Sequence, residues 1–246
     1  LGGLKRIAEV ASYLVPFMGS IYFGAMLIAI VLNINLVIPA FSLIITDAFS
    51  GTAIAGGTFF GVLIYGVRRG AFSNEAGMGT ESLVHGVAKV SNPVKQGLVA
   101  MTGPIFDTLI ICTATALMIL ISGVWETSAS QGVTLTAEAF SSLLGSFGGF
   151  VLFACVICFG LSTIFTYSYY GASCSRFLFG KLGMRFYIYL YIISIFVYSI
   201  VPIDIAINIA DGAFAMMAIP TLVSALWLAP KVMQASKNYF KIIEGR

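Results

Sequence analysis

Charge is what this chain has least of. Asp, Glu, Lys and Arg make up only 9% of its 246 residues, against 59% hydrophobic, a balance that excludes an ordinary water-soluble globular domain. Histidine is confined to His85, which has no metal-ligand partner at a suitable spacing and reads as a polar loop residue. No HExxH or paired-aspartate motif is present, so an intramembrane enzyme would lack a nucleophile–base or metal constellation. Cys112, Cys155, Cys158 and Cys174 all fall in or beside apolar stretches. Cys155 and Cys158 form a CxxC with no second pair, and read as buried thiols, not as a zinc or redox centre. The net charge of +3 comes from short loops and calls for no nucleic-acid partner.

Long apolar runs take the place of charge, and mean hydropathy reaches +1.00. The runs are continuous, not alternating, which favours membrane helices over an outer-membrane barrel. A helix needs about 17–25 residues to cross the hydrocarbon. On that measure six spans are expected, at 12–32, 52–67, 97–121, 147–170, 186–201 and 203–228. The second and fifth are short and the last is long. All 13 basic residues then fall in alternate loops, while the opposite loops hold Asp47, Glu126, Glu138 and Asp204 and no basic residue. By the positive-inside rule the basic side, with the C-terminus, is cytoplasmic. Dividing the last span at Asp211-Gly212 and Pro220 would put four basic residues outside, so one long span, interrupted or tilted, is the better reading.

One polar, glycine-rich stretch stands out against this background. Residues 66–79 read GVRRGAFSNEAGMG, with two arginines, an Asn-Glu pair and four glycines. Glycine permits backbone geometry closed to other residues, and the charges must lie at the membrane edge or in a wet cavity. Downstream come NPVKQGLVAM and FDTLIICTATALMIL. Together these strings resemble the alanine or glycine:cation symporter family, a sodium-coupled branch of the leucine-transporter-like superfamily. The resemblance runs from about residue 2 to about residue 228 and is densest from 66 to 120.

That resemblance implies an all-α, polytopic membrane protein forming the second half of an inverted-repeat transporter fold, with the first half upstream. The chain opens on Leu1, not Met, and is expected to be the C-terminal part of a longer protein. Its last residues, Ile243-Glu244-Gly245-Arg246, match a protease recognition sequence used in recombinant fusions and are equally compatible with a native polar tail. The implied activity is secondary active symport of small neutral amino acids, alanine or glycine, with sodium as the coupling ion and no other cofactor. The implied location is the inner membrane, in contact with lipid, as a multi-pass protein. A proton-coupled permease of the same fold, titrating Asp107 or Asp211, is an alternative; a non-transporting truncated fragment is another.

Candidate site residues follow from this reading. Gly56-Gly57-Thr58-Phe59-Phe60-Gly61 opens the second span. Its glycines read either as close helix packing or as a helix break that releases backbone groups for a substrate. Phe59, Phe60, Leu63 and Ile64 would then shape a small apolar pocket. Asp107 lies some ten residues into the third span, where a carboxylate is costly unless it faces an ion, a partner or water. Thr108 and Thr113 add hydroxyls, which suit sodium but also satisfy the helix backbone. In sodium-coupled relatives of the fold, hydroxyls of the fourth span help hold sodium, and Ser162 and Thr163 match that pattern. Within the signature, Arg69, Ser73, Asn74, Glu75 and Gly77 imply a part in inward gating. Locally, Ser73 to Gly77 reads as an N-cap and helix start with Glu75 in the first turn. Asp211 is a further gating candidate, or else holds Asn208.

The chain departs from the family at four places. A Trp expected four residues before Asp211 is Ile207, an Asn often following the proline is Thr221, and the usual Trp near Tyr167 and acid near Ala172 are missing. If that Trp lines the substrate pocket, Ile207 alters it.

Overall fold

A computed structural model describes residues 3–49, 58–75 and 77–244. Among the described residues the regular structure is helical. Four helices are long and apolar enough to cross a membrane: Tyr13–Leu32, Pro93–Ser122, Val133–Ile200 and Ile205–Ile243. A shorter apolar helix at Ile34–Ala48 occupies a stretch that the span reading leaves as a loop. The chain divides into two compact units, Leu1–Val67 with Asp107–Gly171, and Arg68–Phe106 with Ala172–Arg246.

The first unit contains α1 (Gly3–Leu32) and α2 (Ile34–Ala48). It also takes in the opening of α3 (Thr58–Ser73). Small side chains set its packing: Ala25 and Ala29 of α1 share a buried cluster with Ala114 and Met118, so that backbones approach closely. Tyr22 carries the polar tie. Its ring stacks on Phe140 at 5.5 Å and meets Phe159 edge-on at 5.9 Å, and its hydroxyl bonds Thr115 Oγ1 at 2.9 Å.

The element that reads as the third span is not a uniform helix. It begins as α5 (Pro93–Ala100), takes one turn at Thr102–Pro104, widens into a π-helix over Ile105–Cys112, and tightens again as α6 (Thr113–Ser122). Asp107 sits on the π segment. The entry to α5 is capped as the sequence allows: Asn92 Oδ1 accepts the N–H of Val94 at 2.9 Å, with Pro93 in the first turn.

The helix α7 (Val133–Ile200) counts 68 residues. At 1.5 Å per residue it would measure about 100 Å if straight, far beyond the roughly 30 Å hydrocarbon layer. Two left-handed glycines bend it instead, Gly145 at φ 66° and Gly180 at φ 70°. A side chain at Gly148 would collide with the backbone of Phe140, and one at Gly183 would meet the Ser175 carbonyl at 3.1 Å. Residues eight apart in a straight helix lie about 12 Å from one another, so the chain turns sharply at both glycines.

The second unit contains the end of α3, α4 (Thr80–His85), α5, the last run of α7, and α8 (Ile203–Glu244). Although it carries Pro220 and Pro230, α8 is a single helical element of 42 residues. His85 closes α4 instead of lying in a loop, and its Nδ1 bonds Gln96 of α5 at 2.7 Å.

Candidate functional site

Among the described residues, the chain leaves helical geometry between α3 and α4. Three of the described residues there have positive φ: Glu75 at 54°, Gly77 at 76° and Gly79 at 84°. For Glu75 this is the left-handed conformation that a Cβ disfavours. Its carboxylate accepts a hydrogen bond from Thr80 Oγ1, across the loop it begins. The backbone folds back in step: Asn74 N–H donates to Gly70 at 3.3 Å, Glu75 N–H to Phe72 at 3.3 Å, and Met78 N–H to Glu75 at 3.1 Å. Met78 and Thr80 are buried.

This geometry corrects the local reading of the signature. Ser73 ends α3 instead of capping a new helix, and Glu75 lies in a turn. The next helix starts at Thr80, with Gly79 as its N-cap and Glu81 in its first turn. Glycines at 77 and 79 decide the matter, because left-handed positions two apart interrupt a helix that Asn-Glu-Ala alone would have allowed.

Arg69 and Asp211, both named from the sequence as gating residues, are brought together. Arg68 Nη1 lies 3.4 Å and Arg69 Nη2 3.7 Å from the same oxygen, Asp211 Oδ2. The aspartate side chain is 8% exposed, the arginines 52% and 40%. One turn on, Phe72 meets Phe214 edge-on at 5.0 Å, and the Arg69 guanidinium stands 6.0 Å from the Phe72 ring. At the far end, a side chain on Gly77 would touch Leu222 at 3.4 Å, and one on Gly79 would meet Thr221 Oγ1 at 2.7 Å. Contacts of this segment thus extend along α8 from Asp211 to Leu222.

Of the residues named for the substrate, Gly56 and Gly57 lie outside the described residues. Thr58 and Phe59 begin α3, which continues unbroken past Gly61 to Ser73. Phe60, Leu63 and Ile64 are exposed on that helix, and Ile207 is exposed on α8. From Thr58 onward the helix is continuous through Gly61, and the remainder of the stretch named for a break lies outside the described residues. A lone glycine such as Gly61 costs a helix only about 1 kcal/mol and need not interrupt it.

The ion candidates lie in the first unit. Thr108 Oγ1 donates to Asp107 Oδ2 at 3.4 Å, and Thr113 Oγ1 donates to the Thr108 carbonyl at 3.4 Å. Both Asp107 and Thr108 are half-buried. Widening to i→i+5 geometry, often found at functional positions, shifts carbonyls off the α-helical register next to the carboxylate. Ser162 Oγ donates to the Phe159 carbonyl of its own helix at 2.9 Å, and Thr163 is exposed.

Comparison with known proteins decides the family. A model of the sodium:alanine symporter family matches residues 1–245. This chain belongs to the sodium:alanine symporter family. It is 36% identical over 245 residues to the sodium/alanine symporter AgcS of Methanococcus maripaludis, covering 98% of this chain and 54% of that protein. It is 35% identical over 239 residues to a Bacillus subtilis protein named a probable sodium/glutamine symporter, covering 97% and 50%. With a sodium/proton-dependent alanine carrier of Bacillus sp. strain PS3 it shares 34% identity over 182 residues, covering 68% and 41%. The chain spans about half the length of the curated relatives it matches. Its family is one of amino-acid transporters, not of enzymes.

The sequence reading did not single out Thr80, Phe72, Phe214 or Thr221 as partners of the signature. For Thr80 a signal existed, since it directly follows the Gly77-x-Gly79 pair. Nothing local marks the residues of α8, which reach the loop only through packing.

Proposed function

We propose that this protein works in a secondary active symporter that imports small neutral amino acids, alanine or glycine, with sodium. The observation that carries the reading is the break in the helix at residues 74–79, with left-handed backbone at Glu75, Gly77 and Gly79. Membrane transporters use such discontinuous helices to offer backbone groups to a substrate's charged ends and to ions, since backbone outside a helix is tolerated only where protein or water satisfies it. On this reading the loop 74–79 seats the amino acid's carboxylate or ammonium, and its glycines leave room for a short side chain.

Asp107, Thr108, Ser162 and Thr163 are proposed as sodium ligands, offering the hard oxygen donors that sodium takes. The overall arrangement is proposed to be the second half of a leucine-transporter-like inverted repeat in the inner membrane, with a cytoplasmic C-terminus. Sodium would stabilise an outward-open state that accepts substrate, and joint occupancy would favour inward release, as two-state linkage requires. Ile207, at the place where the resemblance implies a Trp, widens the range of side chains to be tested.

The test is uptake of radiolabelled alanine into proteoliposomes containing the full-length protein, with and without an inward sodium gradient, with glycine and glutamine as competitors. Uptake only with sodium is the expected result. Uptake that persists without sodium but collapses with the pH gradient would replace sodium by protons. That second reading has its own support, because one relative is named a sodium/proton-dependent alanine carrier.

A further inference from the structure

Among the described residues, two polar or charged side chains are buried, Thr80 at 2% and Asp211 at 7% exposure. Both bear on the same loop. Thr80 closes residues 74–79 from the C-terminal side through Glu75. Asp211 takes hold just before the loop, through Arg68 and Arg69 in the last turns of α3. A buried carboxylate in an apolar helix has to be compensated, and here Arg68 and Arg69 beside it belong to the segment leading into the loop.

We propose that Asp211 and Thr221 of α8 are positioning residues that hold the loop 74–79 in its binding conformation. The proposal rests on reading that loop as the substrate seat. Three contacts in register carry it. The ion pairs fix the end of α3 at Asp211, the Phe72–Phe214 pair continues the contact one turn later, and Thr221 and Leu222 back the glycines at 79 and 77. Thr221 is itself held: its Oγ1 donates to the Met217 carbonyl at 2.9 Å, beside Pro220. Its oxygen faces Gly79 so closely that a methyl group there has no room. Glu75, with a Cβ in the left-handed region, is costly to maintain there without such a backing. Neither α8 residue is proposed to touch the substrate; each acts through the backbone of the loop.

The experiment uses the full-length protein in proteoliposomes, with alanine and sodium titrated separately, and hydrogen exchange of the loop amides followed in parallel. Asp211→Asn is expected to raise the KM for alanine about tenfold, while the sodium midpoint and the maximal rate stay within about twofold. Asp211→Glu, which keeps the charge, is expected to recover most of the loss. Exchange across 74–79 should quicken about tenfold in Asp211→Asn and stay near that of the parent in Asp211→Glu. If Asp211→Asn fails to fold, Arg68→Gln combined with Arg69→Gln reaches the same pair from its exposed side and should give the same split. For Thr221, Gly79→Ala should impair alanine affinity, and adding Thr221→Ala should restore part of it. A double variant no better than Gly79→Ala would remove Thr221 from the proposal. If the unsubstituted protein carries no alanine, the substrate reading fails and exchange alone decides the positioning. Unchanged loop exchange in Asp211→Asn would overturn it.

Discussion

The two units bury different things. Apart from Met78, every buried hydrophobic side chain among the described residues belongs to the first unit, including Tyr22, Met26, Met118 and Phe140. The second unit buries Met78, Thr80 and Asp211, while its large apolar side chains, such as Phe196, Leu226 and Trp227, are exposed. In hydrocarbon, exposed apolar groups gain nothing by leaving their solvent, so packing and polar pairing set the local order. The first unit is held by close contact of many atoms, each weak and collectively large. In the second the buried groups include Thr80 and Asp211, which make directional contacts with Glu75 and with Arg68 and Arg69.

The largest expected effect tests that contrast directly. Phe140, with no exposure, should cost about 3–5 kcal/mol when replaced by Ala, read from the unfolding midpoint in detergent. Phe196, 69% exposed in the second unit, should change the same midpoint by no more than about 0.5 kcal/mol when replaced by Ala. Equal losses would erase the distinction between the units. Next comes Asp107→Asn, which should raise the sodium midpoint of uptake about tenfold, or about 1.4 kcal/mol, and leave selectivity among amino acids alone. An unchanged sodium titration would strip Asp107 of its proposed role. Tyr22→Phe removes the hydroxyl bonded to Thr115 and should lower stability by about 1 kcal/mol, since Thr115 keeps its bond to the Ile111 carbonyl at 2.8 Å. The smallest effect belongs to Arg68→Lys. It retains the charge beside Asp211, and Arg69 remains on the same oxygen, so the stability change should stay within about 0.5 kcal/mol.

Much of the helical layout was legible because apolar length is a local property. The stretches around Ser12–Leu32 and from Gly97 onward announce themselves by hydropathy alone. Features that depend on single backbone angles were harder to see. Gly145 and Gly180 bend α7, yet neither differs in sequence from Gly61, which sits in an unbroken helix. The π widening around Asp107 was likewise invisible, because one extra residue per turn leaves the apolar pattern of so hydrophobic a segment unchanged. The signature was recognised as a unit, but its local conformation was not: Glu75 looks like a first-turn acid until Gly77 and Gly79 take left-handed angles on either side of Met78.

The sequence by itself determined the solvent, the helical class and the family, because hydropathy and a long motif match depend on neighbours along the chain. Tertiary structure decided which charges meet. Arg68 and Arg69 are far from Asp211 in sequence, and only the packing of the last turns of α3 on α8 puts the arginines beside a carboxylate that hydrocarbon would not tolerate alone. The same packing brings Thr221 against Gly79, where an added side chain would meet its hydroxyl.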